Sequence, residues 1–316
     1  MENKKVLVTG CAGFIGSHVT EKLLSLGFEV TGIDAMTDYY DPVLKRENIK
    51  SALQNEKFSF IHDDLLTSKI TERIDRFDYI FHLAAQPGVR TSWGRLFNTY
   101  VENNILTTQR LLESVIESKR LKKFFFASSS SVYGEISKEK VTEGDHVKPF
   151  SPYGVTKLAA ENLCELYRNN YNVPTVSLRF FTVYGPRQRP DMAFSRLIRS
   201  AITGKSFTVF GDGNQLRDYT YISDVVEGVI LAAFKKNVFG IYNIAGGSVI
   251  SLNEVIQIVK EITGKKLEIN RELTQKGDVR LTSADILKAH GHFGFYPKIY
   301  ISLGIKAQYE SYLTNG

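Results

Sequence analysis

A doubly wound α/β fold, a parallel sheet covered by helices on both faces, is what this sequence predicts. Three observations carry that expectation. Short, nearly continuous apolar runs recur in the first half of the chain, helix-length segments separate most of them, and the first run ends in a glycine-rich turn that opens a helix. Strands buried on both faces read as unbroken Val, Ile and Phe, and parallel neighbours need a crossover between them.

The strands expected in order are Val6 to Val8, Glu29 to Ile33, Phe58 to Ile61, Tyr79 to Leu83, Phe124 to Ala127 and Thr175 to Phe180. From about residue 181 the pattern loosens into loops carrying Gly, Pro and Arg, with shorter helices expected over Met192 to Thr203 and Ser251 to Thr263. The expected division is a cofactor-binding domain over 1–180, rejoined by parts of 221–250, and a smaller α/β substrate domain mainly over 181–316. No repeat, low-complexity tract or flexible linker separates them, so the two should interleave.

Composition narrows the function classes. The 316 residues are 43% hydrophobic and 23% charged, with a net charge of +6, as in an ordinary globular protein. Lys and Arg are scattered, and the one tight cluster, Lys119 to Lys123, reads as a helix end before a strand, so no nucleic-acid partner is expected. An anionic small-molecule substrate fits the charge better. The N-terminus runs straight into a strand and no 18-residue apolar run occurs, so no membrane partner and a cytoplasmic location are expected. Cys11 and Cys164 lack ligand spacing and read as free thiols. His18, His62, His146, His290 and His292 show no metal spacing, and His82 falls in a buried-strand pattern; no metal site is expected.

The first strand ends in Thr9-Gly10-Cys11-Ala12-Gly13-Phe14-Ile15-Gly16, glycines spaced G-x-x-G-x-x-G before an amphipathic helix reaching Leu26. Glycine permits the tight turn and close backbone approach, while free N–H groups and the helix dipole face a pyrophosphate. Asp34 closes the second strand. A carboxylate there accepts from the adenosine ribose hydroxyls and repels a 2′-phosphate, so the expected cofactor is NAD rather than NADP, in a Rossmann-type domain. Asp64, after the third strand, is either a contact to the adenine edge or a plain loop aspartate.

Ser151-Pro152-Tyr153-Gly154-Val155-Thr156-Lys157 reads as a helix start. Ser151 suits the cap and Pro152 the first helical position, where no N–H is needed. Tyr153 and Lys157 then share one face. An ammonium beside a phenol should favour the phenolate and lower its pKa toward the working pH, as a tyrosine general base requires. Alone, such a pair is a solvated surface contact; its company makes it a site.

Together with His82-Leu83-Ala84-Ala85, Asn103, Ser128-Ser129-Ser130-Ser131-Val132-Tyr133-Gly134 and Tyr153-x-x-x-Lys157, these pieces resemble the extended short-chain dehydrogenases that modify nucleotide sugars. More narrowly, Pro87-Gly88-Val89-Arg90, Arg179-Phe180-Phe181-Thr182-Val183-Tyr184-Gly185-Pro186-Arg187 and Arg189-Pro190-Asp191-Met192-Ala193 look like the UDP-glucuronate 4-epimerases. The resemblance implies that Ser129 works with Tyr153 and Lys157, and that Gly10, Gly13, Phe14, Ile15, Gly16, Leu83, Ala84, Ala85, Asn103, Lys157 and Phe180 lie along NAD. In related dehydratases and decarboxylases a carboxylic acid follows the catalytic hydroxyl; here Ser130 and Ser131 stand instead, which leaves reversible oxidation at C4, and so epimerisation.

In Phe210-Gly211-Asp212-Gly213-Asn214-Gln215-Leu216-Arg217-Asp218-Tyr219 the resemblance places Gln215 on ribose and Arg217 on phosphate. Arg280 is a further phosphate candidate and Asp278 a ribose candidate, or both form loop salt bridges; Arg196 reaches the diphosphate or is a solvated helix charge. Where neutral-sugar epimerases usually carry asparagine this chain has Thr182, and with Ser130 and Ser131 it offers hydroxyls to a C6 carboxylate, while Ser129 meets the substrate beside Tyr153. Arg90 and Arg189 supply charge there, or act at the surface or on phosphate. Helices over Asn98 to Glu117 and Tyr153 to Tyr171, with Leu106, Leu163 and Leu166, resemble those through which the family forms a homodimer. The alternatives are a 4-epimerase for UDP-glucose or a UDP-N-acetylhexosaminuronate, and an inactive NAD-binding regulatory protein.

Overall fold

The computed structural model describes residues 4–315. Its strands, in chain order, are β1 (Lys5–Thr9), β2 (Glu29–Asp34), β3 (Phe58–His62), β4 (Tyr79–His82), β5 (Lys123–Ser129), β6 (Thr175–Phe180), β7 (Thr182–Tyr184), β8 (Phe207–Phe210), β9 (Leu216–Tyr221), β10 (Gly240–Ile244), β11 (Ser248–Ser251) and β12 (Ile269–Glu272). Seven make one sheet in the order β3-β2-β1-β4-β5-β6-β10, and every pairing in it is parallel. Val6, Leu7, Val8, Ile80, Phe81, Phe124 and Val176 are sealed from solvent on both faces, which accounts for their continuous apolar runs.

All six strands expected from sequence form, and the helices between them build separate apolar cores on the two faces. β4 stops at His82, one residue short of the expected run, so Leu83 begins the loop beyond the strand. Strand order reverses between β1 and β4, and in open sheets of this kind the crevice forms at that switch, outside the carboxyl ends of the strands.

The later chain is less regular than the early one, as expected, and it holds more strand than the sequence showed. β11, β9 and β7 form a small sheet and β12 pairs with β8, while β10 returns to the edge of the large sheet beside β6. These strands are three to six residues long, too short to display a period. Ser251 caps rather than opens the helix Leu252–Thr263, in a capping box with Glu254. A third core of Tyr184, Phe194, Leu197, Val209 and Tyr219 seats this part of the chain.

Candidate active site

The glycine turn is held where a side chain cannot fit. Gly10 has φ +69°, and a Cβ on it would stand 2.8 Å from the backbone of Ala84; one on Gly16 would stand 2.0 Å from the Gly10 carbonyl oxygen. The helix Phe14–Ser25 therefore begins hard against the end of β1, its first amides open to an anion. Asp34 ties that turn to β2, accepting from Ala12 N at 3.1 Å and Met36 N at 2.8 Å.

The third wall, Leu83-Ala84-Ala85, is braced from beneath. Thr9 Oγ1 accepts from Leu83 N at 3.2 Å and Ala84 N at 3.1 Å, and its hydroxyl meets His82 Nδ1 at 2.8 Å. His82 Nε2 reaches Thr108 Oγ1 at 3.0 Å, and burial pushes the His82 pKa down to about 3, so the ring is neutral and structural. Asn104, which the sequence did not single out, clamps the next residue: Gln86 N donates to its Oδ1 at 2.7 Å, and its Nδ2 donates to Gln86 O and to Thr156 Oγ1. It sits in a π-helical turn, Val101–Leu106, that also sets Asn103 on the cleft wall.

Every residue expected along the cofactor lines one cleft of about 420 Å³: Gly10, Gly13, Phe14, Ile15, Gly16, Asp34, Asp64, Leu83, Ala84, Ala85, Asn103, Tyr153, Lys157 and Phe180. Asp64 also turns its own loop, accepting from Leu66 N at 2.9 Å. The donor set fits a dinucleotide: backbone amides at the glycine turn and a carboxylate at the end of β2.

The helix Pro152–Tyr171 starts as expected, Gly154 N donating to the Ser151 hydroxyl at 3.1 Å with Pro152 at the first position. Lys157 is buried with its ammonium 4.4 Å from the Phe126 ring centre, and burial lowers its pKa to about 8. Glu161, one turn on, is taken up by Arg179 (2.6 Å) and the Ser128 hydroxyl (2.6 Å), a buried network beneath the site. With its hydroxyl on Glu161, Ser128 leaves Ser129 to face Tyr153.

One electrostatic expectation is corrected. The Tyr153 phenol is raised above its ordinary pKa rather than lowered, because burial outweighs all else; Ser129 and Arg189 pull it back, and Lys157 is not among the groups that shift it.

Ser129, Ser130, Ser131, Thr182 and Arg189 line the same cleft as Tyr153, with the Ser129 hydroxyl 3.1 Å from that of Ser131. Arg189 is held bidentate by Asp191 at 2.9 and 3.0 Å. Arg90 lies elsewhere: it pairs with Asp278 at 2.8 Å and stacks 4.2 Å over Phe210, so it does not join the hydroxyl cluster. Arg196 is half-buried over the same ring at 6.0 Å, and Gln215 donates to Phe210 O. Asp278 pairs with Arg90, and the exposed Arg280 lies 3.7 Å from Asp212. Arg217 differs. Burial lowers its pKa, and among the described residues its guanidinium donates to the carbonyls of Leu216 and Val279 alone. Asp218 beside it is buried and accepts from Gly246 N, Gly247 N and Ala284 N, which fixes the strand that carries Arg217.

Tyr39, Tyr40, Lys45 and Asp63 also line the cleft and were not foreseen. Tyr39, Tyr40 and Asp63 follow β2 and β3 in loops without periodicity, Lys45 sits in the first turn of the helix Pro42–Leu53, and only their position after the strand ends hinted at them.

Comparison with known proteins agrees with this geometry. Residues 6–245 match the family described as NAD dependent epimerase/dehydratase. A UDP-glucuronic acid 4-epimerase from Bacillus cereus, solved with UDP-glucuronic acid and NAD, superposes with a TM-score of 0.96 at 45% identity, covering 99% of this chain and 100% of that one. A Bacillus subtilis relative named as an uncharacterized UDP-glucose epimerase, YtcB, is 47% identical over 290 residues, 90% of each chain. The UDP-glucuronate 4-epimerase of Thermodesulfobacterium geofontis is 38% identical over 304 residues, 95% of this chain and 93% of its own. A matched segment spanning the whole large sheet, with its glycine turn and its Tyr153 and Lys157 in one cleft, makes this chain a member of the NAD dependent epimerase/dehydratase family.

Proposed function

We propose that the protein is an NAD-dependent 4-epimerase that interconverts UDP-glucuronate and UDP-galacturonate through a transient 4-keto sugar. One observation carries the reading. Among the described residues, the carboxylates lining the cleft are Asp34, Asp63 and Asp64, at the ends of β2 and β3, whereas the residues around Tyr153 are the hydroxyls of Ser129, Ser130, Ser131 and Thr182 and the guanidinium of Arg189. Elimination of water, or loss of CO2 as the main reaction, calls for an acid beside the sugar to carry the proton; none of the described residues around Tyr153 is one. Neutral donors and one cation suit a uronate.

NAD supplies the place where the C4 hydride is held and from which it returns. Burial keeps the Tyr153 phenol protonated here, and the positive charge of bound NAD+ would favour its phenolate, which would take the proton of the 4-hydroxyl and later give it back, with Ser129, within reach of the phenol, orienting it. Arg179 takes up Glu161 as an ion pair, which leaves the Lys157 ammonium to serve the cofactor ribose. Arg217, a half-buried cation whose partners among the described residues are backbone carbonyls, is matched to a diphosphate oxygen. Firm hold on the nucleotide and weaker, neutral contacts to the hexose let the ketone turn without leaving.

Turnover of UDP-glucuronate against UDP-glucose tests the substrate. We expect kcat/KM at least about tenfold higher for the uronate, the worth of one charged hydrogen bond. Equal or reversed preference would make this a neutral-sugar epimerase.

We further propose a cytoplasmic homodimer. Among the described residues no helix is long and apolar enough to cross a membrane, and Cys11 and Cys164 are free and buried. Leu106 and Leu166 are 48% and 55% exposed on neighbouring helices, unpartnered apolar surface of the kind a second copy covers. Leu163, expected there too, packs against the core of the sheet instead. Light scattering at micromolar concentration should give twice the monomer mass; the monomer mass would reject the dimer.

A further inference from the structure

The motif Pro87-Gly88-Val89-Arg90 has so far no physical role, and Gly88 supplies one. Its φ is +103°, and a Cβ placed on it would stand 2.5 Å from the hydroxyl of Tyr39 and 2.8 Å from that of Thr91. Tyr39 comes from the far side of the cleft, a few residues past Asp34, on a loop that is anchored twice. The chain reverses at Met36, whose φ is +50° and whose N–H is held by Asp34 Oδ1 at 2.8 Å. The buried Lys45 then clamps Thr37, its ammonium donating to the carbonyl at 2.8 Å and the hydroxyl at 3.1 Å. The loop is thereby set to deliver its tyrosine across the cleft, and the missing side chain of Gly88 is what admits it.

At its destination Tyr39 meets the chemistry. Its ring lies under Arg189, 5.8 Å from the guanidinium, and Asp191 fixes that guanidinium from the other side. Its phenol is near enough to Tyr153 and Tyr100 to perturb both. The neighbouring hydroxyls are already engaged: Thr91 with Tyr100 at 2.6 Å, and Tyr100 with the carbonyls of Pro87 and Gly88 at 2.9 and 2.8 Å. The Tyr39 hydroxyl makes no hydrogen bond among the described residues, although it lines the cleft with Tyr153 and Thr182.

We propose that Tyr39 is a hexose-contacting residue: it closes the sugar end of the cleft beside Tyr153 and donates its hydroxyl to an oxygen of the bound sugar. The inference rests on the reading of the protein as a UDP-uronate epimerase. It also gives one loop two duties, with Asp34 at its start on the adenosine and Tyr39 at its tip on the hexose, so that closing the loop over the cofactor builds the wall of the sugar pocket.

The test uses the NAD-containing enzyme, with steady-state kinetics on UDP-glucuronate and mass-spectrometric measurement of retained NAD. Wild-type turnover is required first; its absence would reject the epimerase reading itself and is distinct from failure of the Tyr39 inference. Tyr39→Phe should raise KM roughly 3- to 10-fold, the loss of one neutral hydrogen bond, with NAD content and melting temperature unchanged. Tyr39→Ala, which also removes the ring beneath Arg189, should lose more kcat/KM than Tyr39→Phe. Should the alanine variant not fold, the isosteric phenylalanine variant still decides. Wild-type kinetics in Tyr39→Phe, or a loss of activity explained by loss of NAD, would overturn the assignment.

Discussion

The two ends of the cleft are built from different materials. At the cofactor end the walls are backbone: Gly10 and Gly16 admit no side chain, Thr9 and Asn104 fix Leu83 to Gln86 by main-chain hydrogen bonds, and all of it stands on the carboxyl ends of buried parallel strands. At the sugar end the walls are side chains, hydroxyls and the Arg189 guanidinium, carried on β5 and the turn after it, on β7 and on the loops after β2 and β7. A backbone wall cannot adapt, so the cofactor end holds one ligand in one pose. Side-chain hydroxyls that both donate and accept can exchange partners, which is what a hexose presenting its two faces in turn requires. The contrast is between a rigid grip and a tolerant one.

Variants at the two ends should therefore fail differently. The largest effect falls where the ends meet. Tyr153→Phe should lower kcat by about a thousandfold, the usual scale for removing a general acid and base, while NAD and UDP binding stay close to wild type. Activity within a few-fold of wild type would remove Tyr153 as the base.

Next, Gly16→Ala places a methyl 2.0 Å from the Gly10 carbonyl oxygen, so helix and turn must separate. Purified protein should lose its NAD, at a cost of about 1 to 3 kcal/mol in stability. Full NAD retention in that variant would break the picture of a backbone-built wall.

At the tolerant end, Thr182→Val removes one hydroxyl from the cluster and should cost roughly 1 to 3 kcal/mol in kcat/KM for UDP-glucuronate, less for UDP-glucose. A 4-keto uronate is a β-keto acid, so looser hold on the carboxylate should also raise the small fraction of UDP-pentose product seen by NMR. Unchanged epimerisation with no added pentose would move acid recognition to Arg189.

The smallest effect is on pH. Burial brings Lys157 to about 8 from its ordinary 10.5, so its ammonium persists below that pH and is lost above it. Activity should fall along an alkaline limb near pH 8. Between about 8 and 10.5 the unfolded chain binds the proton that folded Lys157 has released, so stability should rise with pH in that window. A kcat that stays flat to pH 10 would sever Lys157 from the reaction.

The same contrast decided what could be read without a structure. The glycine spacing, the acidic end of β2 and the Tyr153-to-Lys157 helix turn are local patterns, legible because backbone geometry demands particular residues at particular steps. β7 and β9 are short and pair across long stretches of chain, and Tyr39 acts through Gly88 in a distant loop, so neither leaves a period or a spacing behind. The Tyr153 electrostatics also escaped, because burial is a property of the folded neighbourhood and not of the four-residue spacing to Lys157. Arg90 was foreseen as a binding residue, but only the fold shows that Asp278 and Phe210 hold it away from the hydroxyl cluster.

The central claim is a redox cycle closed inside one cleft, with the cofactor held rigidly and returned to its starting state at each turnover. Proton NMR of UDP-glucuronate incubated with purified protein and no added NAD tests it most directly. We expect UDP-galacturonate to accumulate to a constant ratio with no net change in NADH absorbance. No conversion by protein shown to contain NAD, or conversion accompanied by stoichiometric NADH and a released keto sugar, would contradict the account.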